Sequence, residues 1–520
     1  MKNIYKIFFG LGLVGLTYSC TDLEEELVGD LQSDFTIEGI STGAAGGSSD
    51  ALQGAFSAVR NAGTANHGGY FSVQSVSTDE MAVTQKGGDW YDGGIWLQMH
   101  RHTFTPSNGP LNGTWIQQYE QIAQVNNVIA NGSLDAGQMA QAKVVRAYLH
   151  WRLMDLYGRI PIVTGPSTKT AQLPRAEAFA WIVKEITDAL PLLGTADVKY
   201  RINQYAAHGL LAKLYLNAEV YTGTAQWAKA AEHADFVIEN GPYRLSDDTV
   251  KVPNLGRRPS VSTDPVELSG YAAVFSPTNE NNPEIIWSIE YDEATAGGMN
   301  FNQMTLHYAS QYSWNFQAQP WNGYSALEEF YNSYENGDKR KAANFIVGPQ
   351  LDYGGNALVD LASDNADPAI NYVPNINELE PNANRIGGAR LGKFSFQQFG
   401  RPDMNNDYPI VRLGDMYLIR AEATARAAGN WALALPDVNT IRARAGVAAM
   451  TSITADQFLA ERGREMFQEA SRRTDLIRFG KWGASWWEKT NSDAYRTVFP
   501  IPAEQIQVSG GTLTQNPGYN

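Results

Sequence analysis

One cysteine, Cys20, occurs in 520 residues. No intramolecular disulfide can therefore form even in an oxidising compartment, and packing alone must hold the fold. Long apolar runs are also missing. The run from Ile7 to Leu16 falls in the roughly 7 to 15 residues of a signal-peptide hydrophobic region and short of the ~20 needed to span a bilayer. Basic residues are outnumbered, 40 against 55 acidic, for a formal net charge of −15. That balance disfavours nucleic acid and weakly disfavours polyanionic ligands. No Gly-x-Ser-x-Gly elbow is present, and the stretch Gly43 to Gly47 lacks the lysine and preceding strand of a phosphate-binding loop. His100-x-His102 has no third ligand spaced to join it and reads as part of a surface strand, so no metal site is expected there.

What is present begins with the placement of that cysteine. The sequence Leu16-Thr17-Tyr18-Ser19-Cys20 follows a short basic start and the apolar run, and it resembles the lipobox of bacterial lipoproteins. Cys20 would then carry the lipid and become the first residue of the mature chain. Asp22, Glu24, Glu25 and Glu26 follow directly and resemble the surface-export signal of lipoproteins in the Bacteroidetes. Residues 1–19 are thus expected to be a signal peptide. Residues 20–49 are expected to be a lipid-anchored acidic tether and flexible Gly/Ser segment, and 50–520 the folded body. A body of this length is expected to be one compound unit or two intimately packed halves.

A first helix is expected near Asp50 to Arg60. From Thr114 to about Gly241 the apolar spacing is helical. Ala142, Val145, Leu149, Leu153 and Leu156 share one face of a helix that ends at Tyr157-Gly158 before Pro161. Similar periodicity covers Trp115 to Ile129, Ala176 to Leu192, Gln204 to Tyr221 and Ala225 to Ile238. It returns over Pro409 to Ala428, Trp431 to Ala445 and Thr454 to Phe479. Short turns between such helices suggest tetratricopeptide-like hairpins. Between the two sets, over about 242–408, Pro, Gly, Asn and aromatic residues crowd together without helical period. A block that long must be a packed, loop-rich lobe with short strands. The predicted class is mainly α, with helical hairpins against an irregular lobe.

Four stretches near the C-terminus carry a resemblance. They are Pro409-x-x-Arg412-Leu413-x-Asp415-x-Tyr417-Leu418-x-Arg420-Ala421-Glu422-Ala423; Asn439-x-Ile441-Arg442-x-Arg444-Ala445-Gly446; Glu461-Arg462-x-Arg464-Glu465 with Glu469, Arg472 and Asp475-Leu476-x-Arg478-Phe479-Gly480; and Phe499-Pro500-Ile501-Pro502 with Leu513-x-Gln515-Asn516-Pro517-Gly518-Tyr519. Together with Tyr157-Gly158-x-Ile160-Pro161, they resemble the SusD/RagB family of outer-membrane nutrient-binding lipoproteins. Two positions depart from that pattern: Gln505 where Glu is usual, and Ala470 where Gly is usual. The resemblance implies a non-enzymatic lipoprotein on the outer face of the outer membrane. It would capture oligosaccharides and deliver them to a SusC-like TonB-dependent transporter, with no cofactor. Glu461, Glu465 and Glu469, interleaved with Arg464, Arg472 and Arg473, read as structural ion pairs between packed helices rather than as an acid/base pair.

Two ring clusters are the candidate ligand site. In Asp89-Trp90-Tyr91-Asp92-Gly93-Gly94-Ile95-Trp96, glycines let the backbone turn, Trp90 and Trp96 could stack on sugar rings, and Asp89 and Asp92 could accept from hydroxyls. Asp79 and Lys86 are further polar candidates. The second cluster is Tyr308, Tyr312, Trp314, Asn315, Trp321, Asn322 and Tyr324, with Trp314 and Trp321 as the expected stacking residues. The resemblance implies that both regions contribute to the site. Calcium is left open by the acidic loop Asp360 to Asp367. The rival readings are oligopeptide capture, as in RagB-like members, a glycoside hydrolase drawing on Asp79, Glu80, Asp89 and Asp92, and a purely structural repeat adaptor. Solvent-facing tryptophans would count against the peptide and adaptor readings.

Overall fold

Helical hairpins build one side of the molecule, as the periodicity predicts. The computed structural model describes residues 52–165, 170–252, 266–363 and 368–519. The lipobox, acidic tether and Gly/Ser segment lie outside these. Helices Gly109–Ala130, Ala136–Tyr157, Arg175–Ala189, Gln204–Leu216 and Trp227–Asn240 pack in succession. The Leu413–Ala428 helix then packs on Trp227–Asn240 and on Leu435–Ala445. Two sets of hairpins far apart in sequence therefore join in one stack. Local chemistry sets the boundaries. Asp135 and Gln138 form a capping box at the start of Ala136–Tyr157, and Gly158 ends that helix at φ +73°.

Six two-stranded antiparallel sheets occur among the described residues. One pairs Met81–Val83 with Tyr324–Ala326, in the register Met81 to Ala326 and Val83 to Tyr324. Another pairs Ile285–Ile289 with Tyr408–Arg412. The second corrects the expectation of a helix from Pro409. Pro409, Ile410 and Val411 are extended because the Ile285–Ile289 strand, more than 100 residues upstream, supplies their partners, and the helix starts only at Leu413. Gly209 lets the Gln204–Leu216 helix approach this strand, since a Cβ there would lie 2.4 Å from Val411 Cγ1.

A single hydrophobic core runs from Leu52 to Leu513 through helices and lobe, with a smaller cluster among Leu418, Ile441 and Phe458. The body is thus one compound unit.

The Thr454 to Phe479 helix is also corrected. It is two helices, Ala455–Met466 and Arg472–Arg478, separated by a turn in which Gln468 (φ +62°) and Ala470 (φ +54°) are left-handed. Neither residue is a normal helix breaker, so the sequence carries no signal for the turn. Ala470, the departure from the family pattern, sits where glycine avoids the steric cost of that conformation. Ala470→Gly is expected to stabilise the protein by about 0.5–1 kcal/mol, after the entropy that glycine adds to the unfolded chain. The midpoint of urea unfolding checks this.

The signature charges staple the two sides together. Arg412 binds Glu284 at 2.9 Å, Glu465 at 2.8 Å and Glu469 at 2.7 Å. Arg340 binds Asp338 at 2.8 Å, Glu461 at 2.7 Å and Glu465 at 3.2 Å. Arg444 reaches both Glu284 and Glu465. Glu284, Asp338 and Arg340 come from the lobe and the others from the C-terminal segment, and all are buried except Arg444 and Glu469, which are partly buried. Burial alone would raise the Glu465 carboxyl. Arg444, Arg412 and Arg340 outweigh it and hold the group far below its ordinary 4.5. Every carboxylate of this set is committed to an arginine or lysine, which is the structural role the interleaving suggests.

Candidate functional site

The Met81–Val83 and Tyr324–Ala326 pair brings the two predicted ring clusters together. The segment after the first strand, 84–96, and the segment before the second, 321–323, leave the same end of the sheet. Trp90 Nε1 donates to the Trp321 carbonyl at 2.6 Å and ties the two clusters directly. The 321–323 backbone is held in turn by Gln303, Met304 and Leu306, whose carbonyls accept from Trp321 (2.7 Å), Gly323 (2.9 Å) and Asn322 (2.9 Å).

At the centre stands His67. Its ring lies 5.2 Å from Trp90, 5.1 Å from Trp96, 5.9 Å from Trp321 and 5.8 Å from Tyr324, centroid to centroid. Nδ1 shares a 2.9 Å hydrogen bond with the Tyr324 hydroxyl. Burial holds His67 below its ordinary 6.5 while Asp92 pulls the other way, so the ring is neutral near neutral pH. No motif in the sequence singles out His67. Its one signal is Gly68-Gly69 directly after it, with Gly68 at φ +82°, the same glycine flanking that marks the 87–94 loop.

The eight predicted ligand-facing side chains divide sharply. Asp89 and Asp92 are exposed, and Trp321 is half-buried. Trp96 and Trp314 are core residues, 2 % and 0 % exposed, which corrects the expectation of open stacking faces there. Trp96 is the second residue of the Ile95–Arg101 helix and points inward, its Nε1 donating to Asp92 Oδ2 at 3.1 Å. Trp314 packs against Phe316 and Phe396. Trp90 is corrected as well. It is 9 % exposed, and its six-membered ring lies flat on the Gly323 backbone, where a Cβ would come within 2.4 Å of Cζ2.

Lys86 is buried too, and donates to Thr84 Oγ1 at 2.9 Å, the Thr84 carbonyl at 3.2 Å and the Gly323 carbonyl at 3.4 Å. Burial drives its ammonium well below the usual lysine range. Asp79 grips Arg472 with both oxygens at 2.7 Å and closes the loop onto the Arg472–Arg478 helix. Lys86 and Asp79 therefore hold the loop's shape. His100 and His102 lie at the end of a helix, buried rather than on a surface strand. His102 stacks on Trp482 at 3.7 Å and bonds Ser492 and Ser77.

What faces solvent is a shallow surface made by the 87–92 loop, His67, Trp321 and Tyr308. Tyr91 is 49 % exposed, and Asp89 and Asp92 on either side of it are exposed too. Tyr308 donates its hydroxyl to Asp89 Oδ2 and fixes that carboxylate. Burial raises the Asp89 carboxyl, with Lys86 opposing. The face offers aromatic edges and carboxylate acceptors, a pairing that suits a ring with one apolar face and a hydroxyl rim. Of the calcium candidate, Asp360 is buried against His307 (3.4 Å) and Arg385 (3.6 Å), while 364–367 lie outside the described residues. Among the described residues, no three His, Cys, Asp or Glu side chains converge as a metal site would require.

Comparison with known proteins agrees with this architecture. The profile of the SusD family matches residues 283–519, and that described as "Starch-binding associating with outer membrane" matches 58–216. The starch-binding protein SusD of Bacteroides thetaiotaomicron is 24 % identical, over 86 % of this chain and 85 % of its own. SusD-like protein P2 of Formosa agariphila is 23 % identical over 99 % of each. Among solved structures, a laminarin-binding SusD-like protein superposes with a TM-score of 0.66 at 21 % identity, covering 90 % of this chain and 98 % of that one. Surface glycan-binding protein A of B. thetaiotaomicron, in complex with laminarihexaose, gives 0.69 at 19 % identity with the same coverage. With its signature arginines and carboxylates locked in the inter-lobe network and both profiles matched in order along it, the chain belongs to the SusD/RagB family.

Proposed function

We propose that this protein is a non-enzymatic, glycan-binding lipoprotein of the outer membrane. In this reading it captures neutral oligosaccharides at the His67, Trp321, Asp89 and Asp92 face and delivers them to a SusC-like TonB-dependent transporter. Cys20 anchors it by lipid on the extracellular side, and the tether lets the body swing as a lid over the transporter. The observation that carries the reading is the open face itself, in which the His67 and Trp321 rings lie beside the exposed carboxylates of Asp89 and Asp92, in a chain of net negative charge. The relatives, a starch-binding and a laminarin-binding protein among them, point to the same ligand class.

Two of the four hydrolase candidates are closed off, and the reducing-end assay below decides for Asp89 and Asp92, which stay exposed. Asp79 is spent on Arg472. Glu80, pushed up to about 8 by burial, holds a proton but is 1 % exposed and closed off from any substrate. The burial of Trp90, Trp96 and Trp314 removes much of the contrast with peptide capture, so the test must include peptides.

The test is gel retardation of the soluble protein, beginning after Cys20, by a panel of neutral and acidic polysaccharides, with calorimetry on peptides and an assay for released reducing ends. Retardation by a neutral glycan without reducing-end release is expected. Binding of peptides alone, or release of reducing ends, would overturn the proposal.

A further inference from the structure

Three aromatic residues outside the face just described are drawn together by the backbone and reach the surface. Tyr312 is 58 % and Phe399 57 % exposed, and Tyr353 is half-buried. They come from three separate segments. The Tyr353 N–H donates to the Tyr312 carbonyl at 2.9 Å, and the Phe399 N–H to the Trp314 carbonyl at 2.8 Å. The Tyr353 and Phe399 rings meet edge to face at 5.7 Å. Phe399 is also left-handed, at φ +61°, a conformation that bulky side chains avoid. A strained backbone that presents a large apolar ring to water stabilises nothing in the isolated protein, and such strain clusters where a ligand is held. Trp314, whose carbonyl holds Phe399, is itself fixed in the core, stacked parallel to Phe316 at 5.8 Å.

The patch continues the first face. Tyr308, which fixes Asp89, stands four residues before Tyr312 in one continuous helical segment, Tyr308–Ser310 followed by Gln311–Trp314. Four residues of such a segment advance about 6–8 Å, so the two faces adjoin along the chain. Asp352 and Asn356, hydrogen-bonded to each other at 3.0 Å beside Tyr353, supply a polar rim.

We propose that Tyr312, Tyr353 and Phe399 form a second stacking platform, which takes an uncharged sugar ring of the same oligosaccharide beyond the one held at Asp89 and Trp321. The inference rests on the glycan-binding reading above and adds to it that the site is extended, so that affinity grows with chain length. The test is calorimetric titration with graded laminari- and maltooligosaccharides, from disaccharide to hexasaccharide. The variants are Tyr312→Ala, Phe399→Asn and their combination. Asn tolerates the left-handed backbone, so Phe399→Asn is expected to keep or raise the melting temperature while removing the ring.

The wild type should bind longer chains more tightly. The double variant should bind the shortest binding member as the wild type does and lose about tenfold on the longest. Equal affinities of wild type and double variant at every length would overturn the platform while leaving the first face intact. Failure of the wild type to bind any neutral glycan, these two series included, would instead sink the glycan reading on which the platform rests.

Discussion

Glu465→Gln is expected to lower the unfolding free energy by about 3–5 kcal/mol at neutral pH. The carboxylate it replaces is fully buried among Arg340, Arg412 and Arg444, and removing its charge leaves three guanidiniums short of a partner away from the surface. Gln retains the shape and part of the hydrogen bonding, so the loss is electrostatic rather than a cavity. The pH dependence identifies the cause. The Glu465 carboxyl is held below its ordinary 4.5 in the folded protein, so its stabilisation is complete above that value and is lost as the pH falls through the folded value. The gap between wild type and Glu465→Gln should therefore be widest near neutrality and close progressively below about pH 4.5. Urea unfolding followed by tryptophan fluorescence at several pH values measures it. A gap independent of pH would show that the arginine cluster is not what depends on this carboxylate.

Gly323→Ala is the second large effect. The added methyl would lie 2.4 Å from Trp90 Cζ2 and 2.5 Å from Cη2, with the indole boxed in on its other side by His67 and Tyr324. Either the ring or the 321–323 backbone must move, at a cost of about 1–3 kcal/mol. Either motion breaks the Trp90 Nε1 bond to the Trp321 carbonyl and displaces Trp321 from the binding face. The expected outcome is a lower unfolding midpoint together with weaker glycan binding. The atoms in collision belong to the six-membered ring of the indole, so Trp90→Phe in the Gly323→Ala background should recover much of the stability, and a double-mutant cycle should show strong coupling. Additive effects would place the damage elsewhere.

How much of this was legible in the sequence follows from how local each cause is. The helical hairpins announce themselves through apolar spacing and through residues such as Asp135 and Gly158, which act on their own turn. The signature charges read correctly as structural, because carboxylates alternating with arginines on one stretch have an obvious mutual use. The Pro409–Arg412 strand was illegible because its partner, Ile285–Ile289, lies over 100 residues away. The break between the Ala455–Met466 and Arg472–Arg478 helices was hidden because Gln468 and Ala470 adopt left-handed backbone without glycine.

The site was legible as two neighbourhoods but not as individual side chains. Composition and flanking glycines located the 86–96 and 308–324 segments. Whether a given tryptophan faces water depends on what the other segment places against it. Trp90 is covered because Gly323 leaves room for its ring, and Trp314 because its short helix turns it onto Phe316 and Phe396. The rings that remain outside, Tyr91, Tyr312 and Phe399, differ from the buried ones in nothing a single sequence displays.

The central claim is that the face carrying Trp321 and Asp89 binds a neutral glycan. The most direct test is a calorimetric titration of wild type, Trp321→Ala and Asp89→Asn with whichever neutral glycan retards the protein, each variant first shown to keep its melting temperature. Trp321→Ala should weaken binding by about tenfold or more, and Asp89→Asn by a smaller factor, with folding unchanged. Wild-type affinity in both variants would contradict the account and move the binding site away from this surface.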